Sequence, residues 1–255
     1  MIIRMLGPTI SGRAALSSYL VNGATLIDCG GAGFCGDLSR QSAVKHIFLT
    51  HSHLDHVASL PILLDNVYGM NPPPILHATS ATLATLHREL FHDGLWPDVF
   101  ELSERMAPFV WVQPLTHGEP VEIPGLKVTG VPIDHVVPTT AYIVEEPGAA
   151  AAVITDTAPT DEIWARLAAV PNLLAVFLEC SFPDELANVA EVSKHLTPSL
   201  FASQAARRPP GSKLYAIHLK PQHHDRIVEQ LQRFCPDAEI ARPETDYAIG
   251  PDSER

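Results

Sequence analysis

Short apolar runs, bounded by Gly, Pro and charged residues, recur along the 255-residue chain, and most have the length of a strand rather than a helix. They predict strands near 1–6, 18–22, 24–28, 46–50, 74–78, 109–113, 119–123, 126–133, 140–145, 150–155, 173–179, 213–218 and 238–241. Stretches of helical spacing, several opened by Ser, Thr or Asp, predict helices near 57–68, 80–92, 160–169, 184–194, 197–206 and 222–234. GAAAAVI at 148–154 lies between Pro147 and Asp156; it is far shorter than the ~20 residues that span a bilayer and reads as a buried strand. Turns such as NPPP at 71–74 and RPP at 208–210 punctuate the pattern, and no Gly/Ser-rich linker, charge block or fixed repeat divides it. The expectation is an α/β fold in which residues 1–255 form a single domain.

Four of these runs stop at a residue with metal or acid–base chemistry. HIFLT runs into His51, KVTGVPID into His135, AAVIT into Asp156 and KLYAI into His218. Sites in α/β sheets lie just beyond the carboxyl ends of strands, where loops carry polar groups over a rigid floor. Four such endings predict one shared rim.

Charge changes the picture of what that rim binds. Lys plus Arg number 17 against 29 Asp plus Glu, a net charge of −12, whereas holding nucleic acid through its phosphates needs a basic surface. No stable nucleic-acid partner is therefore expected. The four cysteines form no CxxC pair, and the chain opens on MIIRMLG rather than a charged segment followed by a long apolar one. These features predict a reduced, cytoplasmic protein with no membrane association. At this length roughly 70 to 75% of the unfolded surface can be buried, so the core needs no disulfides.

The densest chemistry is THSHLDHVASLP at 50–61, with His51, His53, Asp55 and His56 inside six positions directly after a buried strand. Imidazole nitrogens and carboxylate oxygens suit zinc, manganese or iron. His51 and His53, two apart in an extended segment, project to the same side, which leaves Asp55 and His56 to face a second ion. The apolar run that follows places Asp55 at a helix start with Pro61 in its first turns. A helix N-terminus disfavours a cation, so four donors gathered there point to function rather than to helix stability.

Together with the distant His135, Asp156 and His218, this pattern resembles the metallo-β-lactamase superfamily, whose HxHxDH motif is followed by a distant His, a distant Asp and a final His. The resemblance covers almost the whole chain and implies an αβ/βα sandwich, two mixed β-sheets face to face with helices outside. It implies one ion held by His51, His53, His135 and Asp156, and a second by Asp55, His56, Asp156 and His218, with Asp156 bridging. Asp28, which ends ATLID, matches an acidic residue that orients a motif histidine from behind. Two divalent ions are the expected cofactors, zinc first, with manganese or iron as alternatives. Two such cations ~3.5 to 4 Å apart activate water and clamp an anionic substrate.

Within that superfamily HSHLDH, with Leu54 before the Asp, is similar to the bacterial class II 3′,5′-cyclic nucleotide phosphodiesterases. GDLS at 36–39, WPD at 96–98, TDT at 155–157, ECSFPDELA at 179–187, HLTP at 195–198 and HLKP at 218–221 extend the likeness. It implies hydrolysis of cAMP, cGMP or both to nucleoside 5′-monophosphates, a small-molecule cyclic nucleotide as partner, and it allows a homodimer. Pro61 departs from the eukaryotic signature, and SLPILL is also similar to ribonuclease Z. A ribonuclease Z-like tRNA 3′ endonuclease is therefore the alternative, followed by an acyl hydrolase of the lactonase or glyoxalase II kind.

Glu179 after LLAVFL, with His195 sixteen residues on, resembles a Glu and His pair beside the metals in both phosphodiesterase branches. A glutamate bonded to an imidazole raises its pKa and fixes its tautomer. His195, Glu179 and Asp55 are thus the expected catalytic residues, with His195 a proton donor to the leaving oxygen or a clamp on the phosphoryl group. The segment 79–105 is expected as a cap insertion over the rim, from which Trp96 stacks on a purine and His92 reads its edge.

Overall fold

The computed structural model describes residues 1–250. The first half runs β1 (Ile2–Met5), β2 (Thr9–Ile10), β3 (Arg13–Ala14), β4 (Tyr19–Val21), β5 (Thr25–Ile27), α1 (Leu38–Ala43), β6 (His46–Phe48), α2 (Leu54–Val57), α3 (Leu60–Asn66), β7 (Ile75–Ala78), α4 (Ser80–Glu89), α5 (Val99–Arg105) and β8 (Trp111–Pro114). The second runs β9 (Pro120–Ile123), β10 (Leu126–Ile133), β11 (Thr139–Glu146), β12 (Ala149–Ile154), α6 (Glu162–Leu167), β13 (Leu173–Glu179), α7 (Ala187–Ser193), α8 (Pro198–Ala205), β14 (Lys213–Ile217), α9 (His224–Phe234), β15 (Ala238–Ile240) and β16 (Asp246–Ala248).

Two seven-stranded sheets result, ordered β16-β1-β4-β5-β6-β7-β8 and β15-β14-β13-β12-β11-β10-β9. Both are mixed. In the first, β16, β1, β4 and β5 pair antiparallel and β5 to β8 parallel. The second repeats the scheme, antiparallel from β9 to β12 and parallel from β12 to β15. Ile3, Tyr19, Val21 and Phe48 of the first sheet meet Tyr142, Val153, Ala175 and Phe177 of the second in one buried cluster. The outer face of the second sheet packs Ala152, Ile154, Val176 and Leu178 against Trp164, Phe201, Ile227 and Leu231 of α6, α8 and α9. The outer face of the first packs Leu26, Ile47 and Leu76 against Leu60, Leu63 and Leu86 of α3 and α4. This is the αβ/βα sandwich. It explains why β12 and β13 are apolar at nearly every position: successive side chains enter two different cores, and both need apolar surface.

Each of the predicted strands forms, shifted by a residue or two at its ends. Three strands and two helices go beyond the expectation. β2 and β3 make a two-rung hairpin with little buried surface, and β16 exists because β1 offers it an edge, so neither carries a periodic signal. α1 and α5 are single short helices whose starts are fixed by Asp37 and Asp98, each accepting two backbone N–H bonds from the first turn. The helix expected over 57–68 is two, α2 and α3, with Pro61 in the first turn of α3, because proline lacks the N–H that would continue one ladder through it. Among the described residues no helix is long and apolar enough to cross a membrane.

Residues 79–105 add α4, α5 and an isolated bridge between Phe91 and Trp96. Leu86, Phe91 and Val99 join the outer core of the first sheet, and Trp96 packs against it from the side. The segment is thus tied down by its own apolar residues.

Candidate metal centre

The carboxyl ends of β6, β10, β12, β13 and β14 open on one rim. Leaving β6, the chain bends at Thr50 and passes His51 outside any regular element. It then enters α2, with His53 at the N-cap, Asp55 in the first turn and His56 behind it. Gly30 makes this possible, since any Cβ there would fall 1.9 Å from the Asp55 carbonyl oxygen. At three strand ends the backbone turns left-handed: Asp28 (φ 59°), Asp156 (φ 54°) and His218 (φ 60°). Such a conformation costs ~1 to 3 kcal/mol in a non-glycine residue. Here it turns a side chain out of the strand's alternation and onto the rim.

Two donor sets meet there. Ligand atoms of His51, His53, His135 and Asp156 lie within 4.8 Å of one another, as do those of Asp55, His56 and His218. Asp156 stands between them. Its Oδ2 is 3.5 Å from His51 Nε2 and 3.8 Å from His135 Nε2, while its Oδ1 is 3.4 Å from both His56 Nε2 and His218 Nε2. Each oxygen faces a different set, the arrangement a bridging carboxylate requires. His53 Nδ1 lies 3.2 Å from His135 Nε2, and Asp55 Oδ2 lies 3.2 Å from His218 Nε2.

The far nitrogens of four of the five histidines are held. His51 Nδ1 donates to Thr50 Oγ1 (2.9 Å), His56 Nδ1 to Asp28 Oδ2 (2.7 Å), His135 Nδ1 to the Lys194 carbonyl (3.1 Å) and His218 Nδ1 to Ser181 Oγ (2.9 Å). These bonds place the lone pair of each Nε2 toward the rim. Asp28, fully buried, also accepts from the Thr50 N–H at 2.8 Å and from its hydroxyl, so one carboxylate orients two histidines. Thr50, Ser181 and Lys194 are the contributors that sequence reasoning missed. Thr50 and Ser181 sit beside predicted ligands or Glu179, a weak signal, and a backbone carbonyl leaves none.

Metal ions fit this set. The Nε2 atom of His51 is buried without a hydrogen-bond partner, a costly state for an acceptor unless something cationic satisfies it. Nitrogen and carboxylate oxygen donors, with no thiolate among them, suit zinc, manganese or iron. Electrostatics agree. Burial opposes ionisation of Asp156, yet His218, His56 and His51 hold its carboxyl well below the usual carboxylate range. Burial pushes His51 and His53 down and His135 down to about 4, so these rings are neutral and ready to ligate.

His56 is the exception: burial works against its charge, but Asp156 and Asp28 raise its pKa well above the ordinary value. An incoming ion must displace that proton. Metal loading near neutral pH is therefore expected to release protons and to weaken as pH falls, measurable by calorimetry in buffers of different ionisation enthalpy. Uptake that is indifferent to pH between 5 and 8 would contradict this. Asp28→Ala removes the anchor of His56 and Thr50, and should weaken metal binding by ~10- to 100-fold, read by competition with a chromogenic chelator.

Behind the ligands, Glu179 is fully buried at the end of β13. Its Oε1 accepts from His195 Nδ1 (2.9 Å), Thr157 N (3.0 Å) and Leu196 N (3.2 Å), and its Oε2 from Ser181 Oγ (2.8 Å). Glu179 thus holds His195 directly and His218 through Ser181. The His195 ring stacks on His218 at 5.6 Å and meets His135 edge-on at 5.1 Å. Burial opposes its protonation, but Glu179 raises its pKa above the ordinary value. Trp96 and His92 have a different setting: Trp96 packs beside the outer core of the first sheet, and His92 is exposed with its ring against Gly94.

Residues 25–219 match the family model described as Beta-lactamase superfamily domain. Ribonuclease J of Thermus thermophilus is 34% identical over 67 residues, 26% of this chain and 12% of that protein. Ribonuclease Z of Mycobacterium bovis is 28% identical over 174 residues, 62% of this chain and 59% of that protein. The match thus spans less than two thirds of either relative. Among solved structures, unliganded yeast PDE1 superposes with a TM-score of 0.77 at 16% identity, covering 94% of this chain and 96% of that one; at this identity the likeness concerns the fold.

The ribonuclease relatives overturn one expectation. The small cyclic nucleotide followed from the motif resemblance, but the absence of a nucleic-acid partner was inferred from the net charge of −12. That sum counts carboxylates wherever they lie, whereas binding responds to the local field, which bound divalent ions dominate. With the donor sets, the sandwich and the match across residues 25–219, the chain belongs to the beta-lactamase superfamily, as a metal-dependent hydrolase with candidate sites for two ions.

Proposed function

We propose that this protein hydrolyses phosphodiester bonds in RNA with two divalent metal ions. The observation that carries the phosphodiester is His195. Its Nδ1 is tied to the buried Glu179 and its ring lies between His135 and His218, at the edge of both donor sets. Burial opposes its charge, but Glu179 raises the pKa of this imidazole above the ordinary value, which favours the cationic form. Cleaving a phosphodiester expels an alkoxide, a poor leaving group that needs a proton, and a cationic imidazole is the side chain suited to give one. RNA as the polymer is supported by the ribonuclease J and ribonuclease Z relatives.

When bound, the ions would supply Lewis-acid polarisation of the phosphoryl oxygen and an activated water. The protein's own part is to hold the pieces. Asp28, Thr50, Ser181 and Lys194 fix the imidazole tautomers, Asp156 sets the two donor sets against each other, and Glu179 orients His195 and favours its cationic form. Asp55, in the first turn of α2, adds a carboxylate to the second set and faces the open side of the rim.

A panel assay of the zinc- and manganese-loaded protein tests this reading. Precursor tRNA with a 3′ trailer, unstructured RNA, cAMP, cGMP, a thioester and a lactone would be compared under one salt condition. Endonucleolytic RNA cleavage is expected. Turnover of cyclic nucleotides alone, or of the acyl substrates alone, would reject RNA as the substrate.

A further inference from the structure

Among the described residues, most Lys and Arg side chains pair with carboxylates that are not candidate metal ligands. Arg4 pairs with Asp246, Arg13 with Asp225, Arg40 with Glu244, Lys127 with Glu145, Lys194 with Asp134 and Arg226 with Glu185. Among the described residues, Lys220 is the one Lys or Arg whose ion-pair partner is a candidate metal ligand. Its Nζ lies 3.4 Å from Asp55 Oδ2, the oxygen that also faces His218 Nε2. The left-handed turn at His218 and a bond from the Lys220 N–H to the Ser181 carbonyl (3.4 Å) bring the residue back over the rim. There it lines a small pocket with Ser17, Tyr19, Asp55, His218 and Pro221. Its charge also reaches His195.

We propose that Lys220 is a substrate-binding residue, whose ammonium takes a non-bridging phosphate oxygen beside the second donor set. The reason lies in the partner it has now. Asp55 Oδ2 cannot serve Lys220 and a divalent ion equally, since the ion draws off the oxygen's negative charge and repels the ammonium across a short distance. Once metal is loaded, Lys220 needs another anion. An ammonium on a flexible stem, with one face open to the pocket, is suited to a phosphate as a point charge. The assignment rests on the phosphodiester reading above, in that the anion is a phosphate.

The test uses metal-loaded protein and inorganic phosphate as the probe, with affinity read by calorimetry and ion content by mass spectrometry. In Lys220→Met, phosphate should bind roughly 10- to 100-fold more weakly, the loss expected for a charge-assisted hydrogen bond. Both ions should be retained. Lys220→Arg should keep most of the affinity, and Lys127→Met, which removes a charge at the far end of β10, should leave it unchanged. Equal phosphate affinity in Lys220→Met would overturn the proposal. Loss of an ion in that variant would also overturn it, making Lys220 a positioning residue for Asp55. The two readings fail separately: if the unaltered protein cleaves no RNA while Lys220→Met still weakens phosphate binding, the choice of polymer falls and the phosphate contact stands.

Discussion

Asp156→Ala is expected to lose both metal ions together, and with them nearly all activity. The two oxygens of this carboxylate face opposite donor sets, with Oδ2 toward His51 and His135 and Oδ1 toward His56 and His218. Removing it takes one ligand from each set and the only carboxylate from the first. The remaining imidazoles would crowd without the anion that now offsets them, so neither site keeps its geometry. Losing the ions removes several kcal/mol of transition-state stabilisation, a rate loss of ~10³-fold or more. Asp156→Asn separates charge from shape: it fills the same space and should still bind metal poorly, because a neutral amide bridges two cations badly. Ion content measured after gentle purification, beside the hydrolysis rate, decides the matter. Retention of one ion with full occupancy in Asp156→Ala would show the two sets to be independent.

His195→Ala should act differently, lowering turnover while both ions stay. The histidine lies at the edge of the donors, its ligand atom within 4.8 Å of those of Asp156 and His218, and its other partner is the buried Glu179. Loss of a general acid costs ~10²- to 10⁴-fold. The sign of the pH dependence follows from the direction of its shift. Because Glu179 raises the pKa of His195, the cationic form persists to higher pH than in an ordinary histidine and is lost as pH rises through the raised value, so the rate should fall on the alkaline side. In His195→Gln that limb should vanish, and in Glu179→Gln it should move to lower pH. An unaltered pH profile in both variants, or loss of metal from His195→Ala, would remove the proton-donor role.

How much of this was legible beforehand depends on the distance over which each interaction acts. His51, His53, Asp55 and His56 could be read as one cluster because a single extended segment and one helical turn fix their spacing. Apolar runs ending in His135, Asp156 and His218 marked strand ends, and the strands themselves formed where periodicity placed them. Local signals ran out where a partner comes from elsewhere. β16 needs the edge of β1, and the break at residues 58–59, just before Pro61 in the first turn of α3, was visible as a proline but not as two helices.

The sequence by itself marked the candidate donors and the apolar periodicity of the strands that carry them. Only the tertiary structure decided that Asp156 presents one oxygen to each set, that Ser181 joins His218 to Glu179, and that Lys220 leans on Asp55. Threonine, serine and lysine are common, and each takes its role from what it faces across 2.8 to 3.4 Å. The net charge misled about nucleic acid for the same reason. Hydrophobic periodicity is a property of neighbours along the chain, whereas coordination, hydrogen bonding and local field depend on neighbours in space, which the packing of the two sheets creates.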